Sequence, residues 1–132
     1  MRTRTKARQR AVESLFEAEQ RGVLSTEIFE RNPDVNDYAI ELAGLVELHM
    51  DRIDEVISTY SQDWPLERMP AVDRAIVRVA IAELLWLPEV DSGVAVSEAV
   101  EIAATLSTPE SGKFINGVLG QIANIRGSLT GL

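Results

Sequence analysis

The 132-residue chain contains no cysteine and a single histidine, His49. The first absence excludes a disulfide frame, a thiolate nucleophile and any cysteine-based metal site. The second excludes a helical-bundle di-metal centre, which needs two Glu-x-x-His pairs. It also leaves the many Ser and Asp residues without the base of a hydrolase triad, because His49, followed by Met50 and Asp51, reads as a surface or helix-end residue. No glycine-rich phosphate loop, P-loop motif or G-x-S-x-G elbow occurs. No apolar run approaches the roughly 18 residues of a membrane span. The basic start is not followed by the apolar stretch of a secretory signal. The expectation is a cytoplasmic protein that is not an enzyme, with no cofactor, no metal and no membrane segment.

Acid is missing from the first twelve residues, and this absence frames what is present. The opening MRTRTKARQR places Arg2, Arg4, Lys6, Arg8 and Arg10 at every second position, five of the chain's 13 basic residues. The remainder holds eight bases against 21 acids, so a body of charge -13 follows a basic start within a net charge of -8. In an extended chain, period two would put all five cations on one side. In a helix, Arg2, Lys6 and Arg10 would share one face, with Arg4 and Arg8 nearly opposite. Cations at a helix N-terminus are disfavoured by the macrodipole. Residues 1–6 are therefore expected to be an unwound, flexible basic arm, with Arg8 and Arg10 beginning the first helix of a single domain over residues 7–132.

With 45% hydrophobic and 26% charged residues, the chain has the composition of one globular domain. Its Val and Ile residues recur at helical spacing, and no strand pattern or internal repeat is evident. The spacing predicts a helix over 7–21 (Ala11, Leu15, Ala18), stopped by Gly22. A short helix follows Ser25 or Thr26 and ends before Asn32-Pro33. Residues 36–61 read as two helices or a bent one, with Asp51 a candidate new cap. After the proline-bearing connector DWPLERMPAVD, residues 71–87 form a central helix that is apolar nearly all round. Two more follow over 94–107 and over 110 to about 126. The predicted fold class is all-α, a compact bundle of six or seven helices in two packed subclusters.

Several polar residues require explanation. The carboxylate pairs Glu27/Glu30 and Glu98/Glu101 fit solvated helix faces better than acid–base chemistry. Asp73 lies in a first helical turn, where a carboxylate is favoured. Arg78, among apolar neighbours, demands an acid, either Glu83 or one on a neighbouring helix. Gly117 in mid-helix costs about 1 kcal/mol against Ala, so close helix contact is expected there, and Asn116 beside it is costly if buried unpaired. Phe114 after Lys113 is either core or, with its cationic neighbour, the minimum equipment for gripping a single-stranded base.

Four segments, ARQRAVESLFEAE, PAVDRAIVRVAIAELLW, VAVSEAVEIAATLS and SGKFINGVLG, resemble in order and spacing the NusB family of transcription antitermination proteins. The resemblance runs from about residue 6 to residue 126 and is most specific at Lys113-Phe114-Ile115-Asn116-Gly117-Val118-Leu119. It implies an all-helical fold of two subclusters that binds single-stranded boxA-type RNA together with the small-subunit ribosomal protein acting as NusE. The assembly sits on RNA polymerase as part of an antitermination complex and promotes rRNA transcription; some relatives form a homodimer. By position, the resemblance assigns RNA contact to Arg2, Arg4, Lys6, Arg8, Arg10, Glu110, Lys113 and Phe114. It assigns the ribosomal-protein interface to Phe16 and Asp73. Two departures stand out: the arm alternates bases with Thr, Ala and Gln, and Glu110 replaces an Asp.

A second reading, from another class, is an RNA-free acidic helical scaffold that docks a basic protein. A third, the NusB-like domain that precedes some RNA cytosine methyltransferases, needs a catalytic domain downstream of Leu132. On the leading reading, the acidic body attracts a basic ribosomal protein and repels RNA except at the arm and Lys113.

Overall fold

The computed structural model describes residues 3–32 and 34–129. The chain forms α1 (Thr3–Arg21), α2 (Ser25–Glu30), α3 (Asp37–Leu48), α4 (Met50–Tyr60), a 3-10 turn (Leu66–Arg68), α5 (Ala71–Trp86), α6 (Ser92–Leu106), α7 (Pro109–Asn124) and α8 (Arg126–Leu129). There is no strand among the described residues. α1, α2 and α3 pack as one group and α6 pairs extensively with α7, which also meets α4. α5 runs between the groups and touches α1, α3, α4, α6, α7 and α8. This is the expected two-subcluster bundle, with the helix count raised by the one-turn α8.

The apolar stripes read from the sequence form one core. Ala11, Val12 and Leu15 of α1 meet Leu42 and Val46 of α3, Ile76, Ile81 and Leu84 of α5, and Ile115, Leu119 and Ile122 of α7, all buried. α1 stops at Gly22, whose φ of +67° only glycine adopts cheaply. Val23 N–H donates to Ala18 O (3.0 Å) and Gly22 N–H to Glu19 O (3.3 Å), the paired bonds of a Schellman end. Asn36 caps α3, Asp91 caps α6 and Thr108 caps α7, each accepting from a backbone N–H two or three residues on.

Other expectations need correction. Ser25 does not cap α2; its N–H (2.8 Å) and Oγ (2.7 Å) both donate to Glu47 of α3, so a carboxylate from another helix fills that role. The break between α3 and α4 falls at His49 rather than Asp51, and the His49 ring stacks on Trp86 at 3.9 Å and 8°. Arg78 takes the second of its two expected partners, acids on neighbouring helices, donating to Asp54 at 2.9 and 3.0 Å and to Glu19 at 3.2 Å. Arg126 closes the far end of α5, donating to the carbonyls of Leu84 (2.6 Å), Val90 (2.8 Å), Leu87 (2.9 Å) and Glu83 (3.3 Å).

The largest correction concerns the basic start. α1 already includes Thr3–Lys6, so Arg4 and Lys6 are helical rather than part of an unwound arm; Met1 and Arg2 lie outside the described residues. Three long-range contacts outweigh the unfavourable dipole. The Arg4 guanidinium lies 4.3 Å from the centre of the Tyr38 ring, Thr5 Oγ1 donates to Glu98 Oε1 (2.5 Å), and Arg8 enters the interior. Glu98 is accordingly half-buried in this cluster, whereas Glu27, Glu30 and Glu101 are solvated as expected.

Candidate nucleic-acid interface

Because α1 is helical from Thr3, its cations divide between two faces. Arg8 is 4% exposed. Its Nε donates to both oxygens of Glu83, at 2.9 and 2.8 Å, and its NH1 to Glu98 Oε1 at 2.8 Å. The Tyr38 hydroxyl donates to Glu83 Oε2 at 2.5 Å. Burial alone would lower the Arg8 pKa, but the charge and hydrogen bonds of Glu83 raise it overall. Burial, with the Glu83 hydrogen bond and charge, pushes the Tyr38 hydroxyl well above the ordinary tyrosine value, against the opposing charges of Arg8 and Arg4. Arg8, expected to touch RNA, is thus enclosed by carboxylates, and Arg4 is engaged by an aromatic face. Lys6 and Arg10 lie on the other face of α1. There they line a concavity of about 310 Å³ with Asn32, Asp34, Val35 and Asn36.

A second site forms at the start of α7. The Thr108 Oγ1 accepts from Ser111 N–H (3.0 Å), fixing a first turn that carries Pro109 and Glu110 and presents Lys113 and Phe114 to solvent. Phe114 is 40% exposed, with one side tilted against Trp64 at 4.9 Å and 53°. Its ring is therefore outside the core. Beside it opens a concavity of about 660 Å³, lined by Lys113, Phe114, Gly117, Val118 and Gln121 of α7 and by residues 59–63 opposite. Gly117 does not mediate close helix contact. It is exposed, and no atom of another element among the described residues lies within 4 Å of where its Cβ would stand. Its missing side chain leaves the concavity open, and Asn116 is exposed as well. The opposite wall, residues 59–63, was not legible in the sequence because it reads only as the end of a helix and the start of a proline-bearing connector.

A third site surrounds Phe16, which is 38% exposed and lines a concavity of about 510 Å³ with Glu13, Glu17, Gln20, Val72 and Leu106. Its floor is apolar and its rim on α1 is acidic. Asp73, expected at a protein interface, is instead fully buried. Its Oδ2 accepts from Ser111 Oγ (2.9 Å) and its Oδ1 has no hydrogen-bond partner among the described residues, so Asp73 braces the start of α7 from within. Asp73 and Glu83 lie ten residues apart on α5, roughly 15 Å along its axis. The Phe114 and Phe16 sites are thus at one end of the bundle and the Arg8 cluster at the other.

Among the described residues, no group of three or more His, Cys, Asp or Glu side chains could hold a metal ion. No helix among them is long and apolar enough to cross a membrane.

The geometry has close relatives. The NusB family pattern matches residues 5–124. A transcription antitermination protein NusB of Kineococcus radiotolerans is 53% identical over 135 residues, covering 98% of this chain and 99% of its own. A solved NusB structure of T. maritima superposes with a TM-score of 0.83 at 32% identity, covering 92% of this chain and 90% of that one. A crystal structure of the antitermination factors NusB and NusE in complex with dsRNA superposes at 0.81 with 29% identity, covering 94% and 98%. With the pattern spanning nearly its whole length and such identity to a curated relative, the chain belongs to the NusB family, whose members are transcription antitermination proteins.

Proposed function

We propose that this protein is a cytoplasmic, non-enzymatic adaptor of the RNA polymerase antitermination complex. It binds boxA-type RNA together with the ribosomal protein that acts as NusE and so promotes rRNA transcription. The observation that carries the reading is Phe114, an aromatic ring left 40% exposed beside Lys113 over an open concavity. A ring with one face open beside a cation is what an unstacked base requires. The solved relative with NusE and dsRNA supports nucleic acid and NusE as partners; the accessible face of Phe114 favours a single strand.

Lys113 and Phe114 contact the RNA, Glu110 flanks them, and Lys6 and Arg10 supply phosphate contacts from α1. Arg8 acts indirectly, by holding that helix in place. The Phe16 concavity, apolar with Glu13 and Glu17 at its rim, receives the basic partner, and Asp73 supports it from behind through Val72. A gel shift with boxA-type and scrambled RNA, with and without NusE, tests the reading. Specific retention that strengthens with NusE is expected. Equal retention of both RNAs refutes the boxA preference, and retention of neither under any condition refutes RNA binding and favours the RNA-free scaffold.

A further inference from the structure

The two walls of the Phe114 concavity differ in electrostatic character. One is α7 from Lys113 to Gln121, carrying the Lys113 ammonium. The other is the C-terminal end of α4 and the turn after it, residues 59–63, whose charged member is Asp63. A phosphate is attracted to the first wall and repelled by the second. A strand entering here therefore turns its backbone toward Lys113 and the edge of a base toward Asp63.

The second wall is built to hold its position. Ser61 N–H donates to Ile57 O (2.8 Å), Trp64 N–H donates back to Ser61 O (3.1 Å), and Ser61 Oγ donates to Trp64 O (2.8 Å). These bonds close a turn with Gln62 and Asp63 at its tip, both exposed. Trp64, on the same turn, backs Phe114. The stacking ring and the polar edge are thus set by one rigid segment. Among the described residues, the side chains of Gln62, Asp63, Lys113 and Gln121 make no hydrogen bond or ion pair within the chain, although all four border one concavity. Its volume of about 660 Å³ lies within the range of sites that take a small ligand.

A carboxylate only accepts hydrogen bonds. On their pairing edges adenine, cytosine and uracil each offer one donor group beside one or two acceptors. Guanine offers two adjacent donors, N1–H and the N2 amine, which match the two oxygens of Asp63. We propose that Asp63 is a specificity-determining residue of the RNA site, reading the pairing edge of a guanine whose ring lies against the open face of Phe114. This rests on the RNA-binding reading above and adds to it the class of base and the residue that selects it.

The test uses the full chain with NusE and a pool of single-stranded RNAs randomised across a boxA-type sequence, selected by wild type, Asp63→Asn and Asp63→Ala. Wild type is expected to enrich guanine at one position, and both variants to lose that enrichment roughly 10- to 100-fold, the range for one bidentate pair. Inosine, which lacks the N2 amine, is expected to weaken wild type at that position and leave Asp63→Ala unaffected. Unchanged thermal midpoints confirm that the exposed turn tolerates the changes. If all three proteins select the same bases while still preferring boxA-type RNA to a scrambled control, Asp63 is no reader and the RNA-binding reading stands. If wild type prefers no RNA at all, the RNA-binding reading and the guanine reader fail together.

Discussion

Replacing Arg8 by alanine removes the cation from its cluster and leaves Glu83, fully buried, with the Tyr38 hydroxyl as its remaining side-chain partner. Both charges of the Arg8–Glu83 pair are enclosed, at 5% and 1% side-chain exposure, so solvent screening offers little relief. Breaking such a pair from one side costs about 3–5 kcal/mol, because a buried charge loses its compensation. For a domain of this size, with roughly 3 °C per kcal/mol, the thermal midpoint should fall by about 10–15 °C. Urea denaturation with an unchanged slope gives the free energy directly. Arg8→Met combined with Glu83→Leu should recover most of the loss, since apolar replacement of a buried pair is often neutral or stabilising. In RNA titrations, Arg8→Ala measured well below its midpoint should keep the salt slope of wild type. A phosphate contact would instead contribute about 0.7 to that slope on a single strand. A variant that melts like wild type but shows a flatter salt slope would refute the internal role of Arg8 and restore it to the RNA surface.

Phe114→Ala should weaken RNA binding by about 1–3 kcal/mol, one base–aromatic stack, while its melt shifts far less than for a core phenylalanine; a large melting loss with unchanged RNA affinity reverses the assignment. Lys6→Ala with Arg10→Ala should flatten the RNA salt slope by roughly 1.4, about 0.7 per lost phosphate contact, and leave the melt unchanged. Phe16→Ala should weaken NusE binding in calorimetry without altering binding of RNA alone. The raised Tyr38 pKa makes the folded state hold that proton more tightly than the unfolded chain does. Stability should therefore be intact below about pH 10, the ordinary tyrosine value, and decline as pH rises further. Tyr38→Phe should flatten the alkaline decline in pH-resolved urea melts, while losing about 1.5–3 kcal/mol at neutral pH with the hydrogen bond to Glu83.

The helices were legible wherever their stability is local. Ala11, Leu15 and Ala18 sit one turn apart, Gly22 supplies the left-handed stop, and Ile115, Leu119 and Ile122 mark the buried face of α7. The start of α1 was not legible, because local physics disfavours cations there. The compensation comes from Tyr38, Glu83 and Glu98, on α3, α5 and α6. Asp73 read correctly as a first-turn carboxylate, but a dipole argument cannot tell a solvated acid from one buried under the next helix's first turn. Gly117 misled for a related reason: an absent side chain is needed where helices touch and equally where a cleft must stay open. Asp63 and Trp64 carried no period at all, and only the turn they share brings them to Phe114.

The Arg126 side chain has a consequence for the order of events during synthesis. The carbonyls it closes belong to residues 83–90, and Leu84 precedes it by 42 positions. A ribosome makes the chain in one direction, so the helix that every other large helix leans on emerges with its far end unsealed. It stays so while α6 and α7 are being made. The C-terminal end of the central helix is therefore among the last parts of the bundle to reach its final hydrogen-bonding state, and a chain ending before Arg126 should fray there.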